Sequence, residues 1–176
     1  MNKPKLIEAD LNNLNKIGLN SFKKIIISDD RGSLNICHES NNSFQFKGFS
    51  IKESFSYKGA ARGLHIQDPR TSPQTKIIEV LEGTIYDFVL DINEPDFIYY
   101  FKLDANYQTS VLVPENFAHG FIALTDVRFR YMCFGGYDES KEKTYNFLNS
   151  AGKLLNINYL ELSEKDASYP ELSCEK

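Results

Sequence analysis

Residues 127–133 read Val-Arg-Phe-Arg-Tyr-Met-Cys, the cleanest alternation in the chain. Successive side chains of an extended strand point to opposite faces, so Val127, Phe129, Tyr131 and Cys133 share one face and Arg128, Arg130 and Met132 the other. One side of this strand is built for a core and carries Tyr131 inward; the other faces water. Reading back toward the N-terminus, similar β-rich runs occupy 119–124, 109–113, 97–103, 84–92, 76–81, 61–67, 33–37 and 23–28. Turn residues divide them: Asp29-Asp30-Arg31-Gly32 early on, Glu82-Gly83 in the middle, Thr125-Asp126 late. Pro69 and Pro73 cannot donate to a ladder, which makes 68–75 a loop. About nine short strands at this spacing predict an all-β sandwich or barrel of the jelly-roll kind. After residue 138 the chain becomes more polar, and Ser163-Glu164-Lys165-Asp166 has the form of a capping box that opens a short helix. The expectation is one domain over 1–176, with a barrel core at about 23–137 and a C-terminal appendage at 138–176.

Composition agrees. The chain has 176 residues, 41% of them apolar, enough to build a core. Twenty-four acidic residues outweigh 20 basic ones, a net charge of −4 that offers no footprint for a nucleic-acid backbone. No apolar run approaches the roughly eighteen residues of a membrane span, and the N-terminal segment lacks the apolar stretch of a signal peptide. A cytoplasmic protein without a membrane partner is expected. Cys37, Cys133 and Cys174 are an odd set without metal-ligand spacing and read as free thiols.

The two-residue period places His119 with Phe121 and Ala123, Lys76 with Ile78 and Val80, and His65 with Gly63 and Gln67. If these faces line a barrel, two histidines, a lysine and a tyrosine converge in one cavity. Each has an ordinary alternative: Lys76 as an edge residue in water, His119 as a hydrogen-bonded core residue, Tyr131 as packing, Asp166 as a helix cap. The only histidines are His38, His65 and His119, and Gln67 stands where a second histidine would complete a His-x-His pair, so no metal site is expected. Neither a phosphate loop nor a nucleophile elbow is present. What remains is a base (His65), a cation (Lys76 or Arg62) and a phenol (Tyr131), a set suited to moving protons beside a carbonyl without a cofactor. One geometric question stays open. Arg62 and His65 are three apart and face opposite ways on an ideal strand, so either the Gly63 region bulges or Arg62 curls in at the strand mouth.

The segments Arg62-Gly63-Leu64-His65-Ile66-Gln67, Lys76, Val113-Pro114-Glu115-Asn116-Phe117-Ala118-His119-Gly120-Phe121, Tyr131 with Tyr137, and Leu162-Ser163-Glu164-Lys165-Asp166-Ala167 closely resemble the dTDP-4-dehydrorhamnose 3,5-epimerase family. Asp30-Arg31-Gly32 also fits its N-terminal signature, and the resemblance runs from about residue 25 to 170. It implies a cupin-type barrel with short C-terminal helices, a homodimer, and cofactor-free action on a nucleotide-linked 4-keto-6-deoxy sugar. By the match, His65 is the base, Asp166 its orienting partner, Tyr131 the acid on the opposite face and Lys76 the group that stabilises the enolate. Arg31, Arg62, His119, Glu142 and Lys165 are implied in substrate binding and Tyr137 in stacking on the nucleobase.

The chain also departs from the family pattern. Ser50 and Lys52 stand at the offsets of a Gln and an Asn ahead of the RGLH segment, Leu34 and Ile36 replace aromatic and acidic residues, and 147–159 lacks the usual tryptophan. An ammonium at Lys52 would favour an anionic or hydroxyl-rich group near the sugar or its phosphate; its ordinary alternative is an exposed outer-face lysine. An epimerase of C3 or C5 alone, acting on another nucleotide sugar such as a GDP-linked 4-keto heptose, and a sugar-binding barrel without catalysis are the competing readings. Leu34 and Ile36 match a segment that crosses to the partner subunit in the family.

Overall fold

Strand formation follows the apolar runs, and a computed structural model describes them over residues 3–30, 32–36 and 48–176, with the backbone alone at Asp29 and 32–36. In chain order the strands are β1 (Lys5–Glu8), β2 (Asn20–Lys23), β3 (Ile25–Asp29), β4 (Gly32–Ile36), β5 (Phe49–Ser56), β6 (Ala60–Gln67) and β7 (Thr75–Glu82). There follow β8 (Thr84–Asp91), β9 (Phe97–Asp104), β10 (Thr109–Val113), β11 (Phe117–Ala123), β12 (Val127–Phe134), β13 (Glu142–Thr144) and β14 (Glu161–Leu162). Two short helices, α1 (Leu148–Leu154) and α2 (Glu164–Ala167), lie in the C-terminal part.

The larger sheet has the order β1-β9-β8-β11-β6-β13, with β14 also paired to β6; the smaller has β2-β10-β7-β12-β5. Packed face to face, they form the expected cupin-type jelly-roll barrel. Inner side chains from both, among them Ile78, Val89, Phe101, Val111, Phe121 and Phe129, make one buried cluster. The larger sheet is covered outside as well: Leu64, Ile66, Phe88, Leu90 and Ile122 pack against Phe147, Leu148 and Ala151. Cover on both faces is why 84–91 reads as an almost continuous apolar run.

The alternation in β12 holds, with Val127, Phe129 and Cys133 buried and Arg128 exposed. Strand pairing extends beyond the expected 23–137 at both ends, since β1 and β2 precede it and β13 and β14 follow it. Strand β5, which the resemblance places ahead of the RGLH segment but no apolar alternation marks, pairs with β12 along its whole length, Lys52 opposite Tyr131. Its apolar residues Phe49, Ile51 and Phe55 are exposed, while Lys52 and Ser54 line the cavity. Following β2, at the other edge of this sheet, β3 and β4 form a hairpin that pairs with no third strand among the described residues. Arg31, His38 and Cys37 lie outside the described residues, as do the side chains of Leu34 and Ile36.

Candidate active site

The open question at Arg62 resolves as a bulge. His119 pairs with His65 but Phe121 pairs with Arg62, so Gly63 and Leu64 together oppose Gly120 alone. The extra residue restores parity: Arg62 and His65 both face the cavity, while Ala61, Leu64 and Ile66 turn to the outer apolar layer. Glycine is required here. Gly63 has φ +103°, and a Cβ on it would come within 2.7 Å of the His119 carbonyl oxygen. The Gly63–Leu64 peptide is cis.

The bulge also creates the docking point for Asp166. On the far edge of β6, β13 pairs with residues 65–67 and β14 with 60–61. In the gap between them the Gly63 N–H donates to Asp166 Oδ2 at 3.4 Å, and His65 Nε2 lies 2.5 Å from Asp166 Oδ1. Ser163 caps α2 by accepting from the Asp166 N–H at 3.1 Å, so the capping backbone aims the carboxylate at His65 instead of back at the cap. Burial pushes the Asp166 carboxyl up, but the hydrogen bond and charge of His65, with the Gly63 N–H and Ser163, outweigh it and hold the carboxyl below its ordinary range. Asp166 is therefore an anion at neutral pH.

These groups open on a cavity of about 300 Å³ between the sheets. From the larger sheet come Arg62, His65 and His119; from the smaller come Lys52, Lys76, Tyr131 and Cys133. Lys76 faces inward, not into water at an edge, and donates to the His65 carbonyl at 3.4 Å. Burial lowers its ammonium, with the charges of Cys133 and Glu142 opposing. Burial raises the Tyr131 phenol, which keeps it protonated and able to donate. Arg62 Nε donates to Ser56 Oγ at 3.0 Å. Lys52 points inward too, its ammonium 5.8 Å from the centre of the Tyr131 ring and 5.1 Å from that of Tyr137.

At the mouth, Lys165 pairs with Glu142 beside the exposed Tyr137 ring. Gln74 donates to the Gly136 carbonyl at 3.0 Å and the Asp138 N–H donates to Gln67 at 2.9 Å, which fixes the Tyr137 segment to the rim. Of the site residues named from sequence, the structure brings together all but Arg31, which is not described. Among the described residues no three His, Cys, Asp or Glu side chains form a metal-ligand set. Sequence reasoning missed Asp87, which lies 2.8 Å from His119 Nε2. Its signal was there: the lone charge in the interior of the apolar run 84–91.

A small barrel with a histidine–carboxylate pair on one wall and a protonated phenol on the other belongs to the class of cupin-type proteins equipped for proton transfer. The chain belongs to the dTDP-4-dehydrorhamnose 3,5-epimerase family, whose sequence model matches residues 17–173. A dTDP-4-dehydrorhamnose 3,5-epimerase of Salmonella typhimurium is 33% identical over 126 residues, covering 68% of each chain. One from Methanothermobacter thermautotrophicus is 32% identical over 109 residues, 57% of this chain and 58% of that protein, so this match spans under two thirds of its length. Among solved structures, ChmJ, a 3'-monoepimerase from Streptomyces bikiniensis in complex with dTDP-quinovose, superposes with a TM-score of 0.72 at 26% identity, covering 88% of this chain and 83% of that one.

Proposed function

We propose that this chain is a cytoplasmic, cofactor-independent isomerase, working as a single domain, that epimerises a nucleoside-diphosphate-linked 4-keto-6-deoxy sugar at C3 and C5. The observation that carries the reading is the placement of base and acid on opposing sheets, His65 on β6 and Tyr131 on β12, across one cavity. A ring held between them loses a proton to one wall and gains one from the other, which inverts the carbon. His65 takes the proton beside the ketone, and the electron pair moves onto the carbonyl oxygen as an enolate. Tyr131 then delivers its hydroxyl proton to the opposite face, and both side chains reset through solvent. The C–H is only weakly acidic, so the enolate needs fixed positive charge. Lys76 supplies it from within the cavity, where its ammonium meets the developing anion away from bulk water. Arg31, Arg62, His119, Glu142 and Lys165 bind the nucleotide sugar, with Tyr137 stacked on the base.

The test is incubation in D₂O with 4-keto sugars on several nucleotides, reading deuterium by NMR. Label at both C3 and C5 is expected. Label at C3 alone would make this a monoepimerase like the ChmJ neighbour, and no label with measurable binding would leave a sugar-binding barrel.

Lys52 extends the reading to specificity. Its ammonium meets two aromatic faces and no carboxylate among the described residues, so its counter-charge comes with the substrate. Lys52→Asn is expected to raise KM for the nucleotide sugar about 10- to 100-fold, the worth of one charged hydrogen bond of ~1.5–3 kcal/mol, with kcat within about twofold. An unchanged KM would return Lys52 to a bystander.

The functional unit is a homodimer in this reading. Ile25 and Ile27 of the hairpin are 55% and 56% exposed, and Ile51 and Phe55 on the outer face of β5 are 57% and 51% exposed. A two-stranded hairpin is at best marginally stable alone, and an apolar surface of this extent marks an interface. Light scattering at micromolar concentration is expected to give twice the chain mass, and Ile51→Glu with Phe55→Glu to halve it. A fully active monomer would refute the dimer.

A further inference from the structure

One carboxylate in the barrel interior has no part in this scheme. Asp87 sits in the middle of β8, wholly buried, on the inner face with Ile85 and Val89. Its Oδ2 lies 2.8 Å from His119 Nε2, and no hydrogen bond reaches Oδ1. Burying a carboxylate costs several kcal/mol unless it is paired, so its presence needs a reason. His119 is equally constrained: 8% exposed, it lies nearly parallel to the Phe129 ring, 15° between planes and 6.2 Å between centroids.

His119 and His65 are direct partners across the β6–β11 ladder, and each gives Nε2 to a carboxylate. Each therefore has Nδ1 left for a substrate. Among the described residues, the charged groups of the cavity without an ion-pair partner are all donors: Lys52, Lys76 and Arg62. The Asp166 and Glu142 carboxylates are engaged by His65 and Lys165. A sugar brings hydroxyl hydrogens that need acceptors, and His65 Nδ1 is committed to the carbon acid.

Resting on the function proposed above, we propose that Asp87 is a positioning residue: it fixes His119 in the tautomer with hydrogen on Nε2, so that Nδ1 accepts a hydrogen bond from the C2 hydroxyl of the sugar. C2 is chosen by the chemistry. The C3 hydroxyl changes place on inversion, so a fixed acceptor serves both stereoisomers only through a hydroxyl that stays put. Asp87 holds the ring edge and Phe129 its face, which leaves the acceptor no freedom to follow a misplaced hydroxyl.

Histidine-selective ¹⁵N NMR of the unliganded protein reads the tautomer without turnover. His119 is expected with Nε2 protonated and Nδ1 bare at neutral pH, and with mixed tautomers in Asp87→Asn. A wild-type ring protonated at Nδ1 overturns the proposal. Kinetics supply the second readout, comparing the dTDP-linked 4-keto-6-deoxyglucose with its 2-deoxy analogue. Asp87→Asn is expected to lower kcat/KM about tenfold for the hydroxylated sugar and less than about threefold for the analogue. Equal losses on both sugars mean a structural role only and overturn the contact. Should Asp87→Asn fail to fold, His119→Phe, which keeps the stack on Phe129, carries the same comparison: wild type should prefer the hydroxylated sugar about tenfold and the variant should not, and an undiminished preference overturns the contact. A wild type that turns over neither sugar defeats the function and the C2 contact with it, while the spectrum decides the role of Asp87 independently.

Discussion

His65→Ala is expected to abolish deuterium uptake at both C3 and C5, whereas Tyr131→Phe should keep measurable uptake while inversion collapses. The two side chains stand on opposing walls and act at different moments. In the proposed mechanism His65, with the ionised Asp166 behind it, begins the reaction by removing the proton; without it no enolate forms and no label enters. In the same mechanism Tyr131 finishes the reaction, and burial keeps its phenol protonated and ready to donate. Without that hydroxyl, His65 can return a deuteron to the face it came from, which labels the carbon without inverting it. General acid or base catalysis is worth about 10²–10⁴ in rate, so both losses should stand far outside error. Equal loss of uptake in the two variants would remove this division of labour.

Gly63→Ala is expected to cost both stability and activity. At φ +103° an alanine is strained whatever the space, worth ~1–3 kcal/mol, and its Cβ would crowd the His119 carbonyl oxygen at 2.7 Å and Gly120 Cα at 2.9 Å. Overpacking adds about 1–3 kcal/mol, and for a chain of this size a total of ~3 kcal/mol corresponds to a melting point lower by roughly 6–12 °C. The same movement displaces the Gly63 N–H from Asp166 and the ring of His65 from its partner, so turnover should fall further than the folded fraction does. Thermal unfolding together with turnover per folded molecule checks this; a variant that melts and turns over like wild type would show that the bulge tolerates a side chain.

How far the sequence could be read depended on which side of each strand met water. In β12 one face is apolar and the other polar, so its alternation named Tyr131 as inward before any coordinates. Strand β5 inverts that logic: Ser54 and Lys52 face the cavity while Phe49, Ile51 and Phe55 face out, so an apolar period taken to mean core does not mark it and only the resemblance does. In β8 both faces are buried, so the period vanishes and Asp87 hides within it. The His65–Asp166 pairing could not come from periodicity, because it joins residues 101 positions apart through an interruption in a ladder. Resemblance supplied that pair, and the bulge supplies its physical cause.

The seat of Asp166 has a consequence for how the protein comes into being at the ribosome. Every strand of the smaller sheet, and both His65 and Tyr131, are translated before residue 138, whereas the carboxylate that pairs with His65 follows only at residue 166. A polypeptide that has grown only to residue 138 thus holds His65 without its carboxylate partner. In the proposed mechanism the orientation of the base thus waits for a four-residue helix whose carboxylate docks on the edge of β6, and activity would report that synthesis had passed that helix.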